Sequence, residues 1–67
     1  MSIEYTDKRF GVVAIEKGFI SLDQLLESLK MQIEEELERG IHRVIGAILV
    51  ENGFMDLLQI EEVLDSM

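Results

Sequence analysis

Arg9, Gly11 and Gln32 are the residues whose types and spacing best suit binding chemistry in this chain. An arginine grips a phosphate through two hydrogen bonds or stacks on a base. A glycine inside a helix lets a ligand approach the backbone, and a glutamine amide at the edge of an apolar stripe both donates and accepts. Together these are parts of a nucleotide pocket; taken singly they are a surface charge and a rim amide, and spacing alone leaves both readings open. Nucleophilic catalysis has no matching set, because there is no cysteine, one histidine, and serine only as Ser2, Ser21, Ser28 and Ser66. The expectation is a non-enzymatic protein without metal or cofactor. His42 stands alone beside Arg43, which suits a solvent-exposed or cap-forming role. Glu34, Glu35, Glu36 and Glu38 spread around a helix with no Glu-x-x-His beside them, and read as a solvated face.

The elements that must position these residues come in two similar stretches. Gly11, Gly18, Phe19, Gln24 and Leu29 recur as Gly46, Gly53, Phe54, Gln59 and Leu64, each 35 residues later. A constant offset marks a repeated structural unit, here a short apolar helix, a glycine stop and an amphipathic helix. The units span about residues 9–32 and 44–67, within a single domain 1–67. The predicted fold is therefore all-α, with four helices arranged as two similar pairs.

The first helix is expected to be capped by Thr6 or Asp7 and to run to Lys17, with Gly18 as its stop. Ser21 with Gln24, and Asp56 with Gln59, form capping boxes, backed by the apolar pairs Ile20 with Leu25 and Met55 with Ile60. The second helix runs from Leu22 to Arg39 with Gly40 as its stop. Its apolar stripe of Leu22, Leu25, Leu26, Leu29, Ile33 and Leu37 is predicted to face the core. Ion pairs of Lys30 with Glu34 and of Glu35 with Arg39 are expected on its surface. The third helix is placed at His42 to Asn52, apolar on nearly every side, with a buried strand as its rival. The fourth spans Leu57 to Ser66 and is predicted to bury Leu57, Ile60, Val63, Leu64 and Met67. Residues 1–5 lack periodicity and read as a loose arm whose Ile3 and Tyr5 can reach the core. Gly11 and Gly46 fall inside helices, at roughly 1 kcal/mol each relative to alanine, so either a closely packed helix or a ligand requires them.

Composition narrows the function classes. The formal charge is −8, and it is uneven: residues 1–33 carry five acids and four bases, residues 34–67 nine and two. Duplex nucleic acid is an unsuitable partner for such a surface. There is no run of the ~20 apolar residues that a membrane span needs, and no basic start with an apolar middle that would mark a secretory signal. A soluble, cytoplasmic protein is expected. Without disulfides, a chain this small leans on partners for stability.

The segment RFGVVAIEKGFISLDQLLESLKMQ, residues 9–32, resembles the repeated motif of the N-terminal domain of type II secretion and type IV pilus assembly ATPases, the MshEN-type domain. Members carry two tandem copies, some bind cyclic di-GMP, and the domain regulates an ATPase to which it is fused. In the first copy Arg9, Phe10, Gly11, Ala14, Gly18, Leu25, Leu29 and Gln32 fall on the motif positions. The second copy departs from it: Val44 stands in the arginine position with Arg43 one place early, and Met67 stands in the glutamine position. Residues 33–43 also form a longer spacer than the family has. The resemblance implies Arg9, Gly11, Gln32, Arg43 and Gly46 as ligand-binding candidates and cyclic di-GMP as the possible ligand. Loss of polar groups from the second copy, with its glycines and leucines kept, shifts the expectation toward protein contact. The leading expectation is a regulatory or adaptor domain acting in trans in a bacterial secretion, pilus or motility system, with a protein partner and a possible homodimer. A cyclic di-nucleotide module and a small structural protein without ligand are the alternatives.

Overall fold

The computed structural model describes residues 5–67; the expected loose arm at residues 1–5 is corrected at Tyr5, which opens the first helix, while residues 1–4 and the packing of the Ile3 and Tyr5 side chains lie outside what is described. Four helices follow one another: α1 (Tyr5–Glu16), α2 (Leu22–Arg39), α3 (Ile45–Glu51) and α4 (Leu57–Asp65). The fold is all-α. Helix α2 has its predicted bounds because both ends are chemically marked. The Ser21 hydroxyl accepts from the Gln24 N–H at 3.1 Å, while Gln24 Oε1 accepts from the Ser21 N–H at 2.9 Å. At the other end Gly40 takes the left-handed conformation, φ 67°, and donates its N–H to the Glu36 carbonyl. Asp56 and Gln59 build the same reciprocal cap on α4.

The offset of 35 residues extends to individual hydrogen bonds. Gly18 and Gly53 turn the chain at φ 78° and 76°. Beside them the Phe19 N–H reaches the Ala14 carbonyl at 3.0 Å, and the Phe54 N–H reaches the Leu49 carbonyl at 2.9 Å. Burial follows the same offset. Phe10, Val13, Ala14, Ile20, Leu25 and Ser28 are buried, and so are Ile45, Ile48, Leu49, Met55 and Val63, with Ile60 partly so. These residues form the core.

Packing is crossed between the units. Helix α1 meets α3 at the centre, α2 lies along α3, and α4 lies against α1. Within the first unit, Gly11 lets α1 approach α2 closely. A Cβ at Gly11 would stand 2.6 Å from both Leu25 methyl carbons and 3.2 Å from Leu25 Cγ. Close packing, rather than access for a ligand, accounts for Gly11. At Gly46 the same atom would meet Ile60 Cδ1 at 3.4 Å and Phe10 Cζ at 3.5 Å, which is ordinary contact.

Several expectations are corrected. Helix α3 starts at Ile45, not His42, because Val44 at its N-cap has no side-chain oxygen to hold an earlier turn. Asp7 and Thr6 lie within the first turn of α1 instead of preceding it. The predicted core stripe of α2 is only half inside: Leu25 is buried, Leu29 packs half-buried against the core and Ile33 is half-buried, while Leu22 and Leu26 are exposed and Leu37 is 73% exposed; Ser28 and Gln32 are buried in addition. Ser28 faces inward because a small side chain permits the approach of the α3 end, where Asn52 Nδ2 lies 3.4 Å from Ser28 Oγ. On α4 only Val63 is fully buried, with Ile60 partly so, while Leu57, Leu64 and Met67 are exposed. Four helices cannot cover every apolar face of a chain this small.

Candidate functional site

The buried polar centre is built on Asp7, from the first turn of α1. The residue is only 4% exposed. Oδ2 accepts from Gln32 Nε2 at 2.7 Å, and Oδ1 accepts from the Ile45 backbone N–H at 3.4 Å. Gln32 Nε2 also donates to the Arg43 carbonyl at 2.7 Å. Both neighbours of this amide are acceptors, so its nitrogen must be the atom that faces them. Asp7 thereby supplies, from another helix, the capping oxygen that Val44 lacks at the start of α3. Among the described residues no buried side-chain polar atom is left without a partner.

Polar and charged side chains close over this centre. His42 places Nε2 3.7 Å from Asp7 Oδ2 and Nδ1 2.9 Å from Glu36 Oε1. Arg43 grips Glu35 with two parallel hydrogen bonds of 2.8 Å each and donates to Glu51 at 2.6 Å. The hydrogen bonds from Arg43 hold the Glu35 carboxyl below its ordinary 4.5, against a smaller opposing effect of desolvation, with the charges of Arg43 and Arg39 assisting. Glu35 and Glu51 in turn raise Arg43 above its ordinary value. Glu35 therefore uses both oxygens on Arg43 rather than pairing with Arg39 as expected. The acidic run is only partly a solvated face, since Glu35 and Glu36 are half-buried and paired. The described residues hold no group of three potential metal ligands.

Two grooves remain. One, of about 510 Å³, is lined by Lys8, Arg9, Lys17, Glu16, Val12, Val13 and Ser66. It gathers three of the six lysines and arginines of the chain. The other, of about 200 Å³, lies where α1, α3 and α4 meet. Its lining is Thr6, Asp7, Phe10, Val44, Ile45, Gly46, Ile60 and Leu64, and Val44 and Leu64 are exposed at its rim.

The five candidate residues divide accordingly. Gln32, Arg43 and Gly46 gather around Asp7, and Gly11 follows Asp7 by one turn on the same side of α1 but is covered by Leu25. Arg9 is elsewhere: at about 100° per residue it points about 200° away from Asp7, into the basic groove. Gln32 is 3% exposed and its amide nitrogen is engaged twice. Asp7 is the residue that motif reading missed. Its signal was indirect, namely that residues 41–44 offer no Ser, Thr, Asp or Asn to cap the third helix.

No helix of the described residues is long and apolar enough to cross a membrane. Compared with family models, curated proteins and solved structures, the chain matches none.

Proposed function

We propose that this protein is a non-enzymatic adaptor or regulatory domain that receives a segment of a protein partner in the apolar groove between α1, α3 and α4. The observation that carries this reading is the groove itself. Its walls are Phe10, Gly46 and Ile60, its exposed rim is Val44 and Leu64, and its volume of about 200 Å³ suits an anchoring apolar side chain. The second half of the chain, which supplies Val44, Ile45, Gly46, Ile60 and Leu64 to the lining, carries nine acids against two bases. A fitting partner segment therefore combines a large apolar residue with flanking lysine or arginine, in the manner of a helix laid in a groove. The motif resemblance supplies the setting for this reading, a bacterial cytoplasmic secretion, pilus or motility system in which the chain acts in trans.

The test is selection of binders from a displayed peptide library, followed by titration of the best one into isotope-labelled protein. Peptides with a basic, apolar pattern are expected, with amide shifts at Val44, Gly46 and Leu64 and loss of binding in Leu64→Asp. Shifts confined to other faces, or binding that survives Leu64→Asp, would remove the groove from the reading. Cyclic di-GMP is the second reading, favoured by the gathering of Lys8, Arg9 and Lys17 in one groove. Its contact would rest on Arg9 without help from Gln32. Shifts around Arg9 and Lys17 that vanish in Arg9→Ala would establish it, and an unchanged spectrum at millimolar ligand would exclude it.

A further inference from the structure

Helix α2 presents two rows, of which the fold covers one fully and the other only in part. Leu25, Ser28 and Gln32 are buried against the rest of the molecule. About 100° further round runs a second row, Leu22, Leu26, Leu29 and Ile33. Leu22 is exposed, Leu26 is 52% exposed, Ile33 is half-buried, and Leu29 is half-buried with one side packed on the core. The intervals between these four are four, three and four residues, which is the spacing of a seam between two helices. At about 1.5 Å per residue the row is about 16 Å long.

From this face we infer that the protein self-associates, the α2 row of one copy packing antiparallel on the α2 row of a second. Charge selects both the occupant and the direction. On the side of the row away from the core lie Asp23 and Lys30. When Leu26 opposes the second copy's Leu29, and Leu22 its Ile33, Lys30 of each copy comes opposite Asp23 of the other. The face is thus complementary to itself. In a parallel pair the Asp23 and Lys30 side would instead meet the side bearing Leu25 and Gln32, which the protein's own core already occupies. The inference is independent of the partner-binding groove, because no α2 residue lines that groove.

Sedimentation equilibrium on the full chain from micromolar to millimolar concentration tests it. The expected mass rises from 7.7 kDa to twice that value. A mass of 7.7 kDa throughout would overturn the proposal. Leu26→Asp is expected to weaken association at least about tenfold, since it buries an unpaired charge in the seam, with the helical circular dichroism unchanged because Leu26 is exposed. Association that survives this substitution would overturn the seam. Orientation is read from the charges: Lys30→Asp weakens the dimer, and adding Asp23→Lys to it restores the dimer. A double variant no tighter than Lys30→Asp alone would overturn the antiparallel arrangement.

Discussion

Replacing Asp7 by alanine removes, at one stroke, the acceptor of the Ile45 N–H and one of the two acceptors of the Gln32 amide. A buried donor left without a partner costs about 1–3 kcal/mol. A domain of this size has a total stability of only about 3–5 kcal/mol, so Asp7→Ala is expected to remove a large part of it. Urea unfolding would show a lowered midpoint with an unchanged slope; a midpoint equal to wild type would mean the network is replaced by water at no cost. Asp7 was read from the sequence as a cap for its own helix, a local role that its position suggests. Its partners lie 25 and 38 residues away, and no local pattern encodes a distance of that kind. Gln32 was legible as an amide at the core's edge, but not as one already engaged on both sides.

Among the elements, the boundaries that were legible are those written in local chemistry. The capping boxes of Ser21 and Asp56 and the positive-φ glycines at 18, 40 and 53 fix their turns whatever the tertiary structure does. The start of α3 was misplaced because its cap comes from α1. The buried face of α2 was misread because hydrophobic periodicity favours the leucine row, whereas the neighbouring helix contacts the row with the small Ser28. Helix packing also separates the two matched glycines. Gly11→Ala drives a Cβ into the buried Leu25, whose γ carbon and both methyls stand in its way. Overpacking of about 1–3 kcal/mol outweighs or offsets the roughly 1 kcal/mol gained in helix propensity. Gly46→Ala meets only ordinary contacts and keeps that gain. Thermal unfolding should therefore show Gly11→Ala below Gly46→Ala, with Gly46→Ala at or above wild type. The reverse order would contradict the packing described between α1 and α2.

For the molecule as a whole, the Cα radius of gyration is 11.2 Å, close to the ~11 Å of a compact domain of this length. Its exposed leucines are therefore not a sign of loose assembly but of too few helices to cover them. The acidic balance and the Arg43 clamp together set the response to pH. Glu35 has a folded-state pKa below its ordinary 4.5, so its contribution to stability is fully present above pH 4.5. That contribution is lost as the pH falls through the lowered value. Arg43 is raised, so its contribution is fully present below its ordinary value and would be lost only in strong alkali, as the pH rises through the raised one. Glu35→Gln is thus expected to be less stable than wild type at neutral pH, with the difference narrowing as the pH drops below 4.5. A constant difference across the acid limb would show that Glu35 acts by packing and not by charge.

The crossed packing has a consequence for how the two halves belong to each other. With α2 resting on α3 and α4 resting on α1, neither half owns a finished interior; each completes the other. Residues 40–44, which join them, add no buried apolar side chain of their own. Beyond the polar contacts of His42 and Arg43, their service to assembly is that of a tether, keeping each half at high effective concentration around its complement. Cleaved there, the protein would behave as two peptides that reconstitute one body by association.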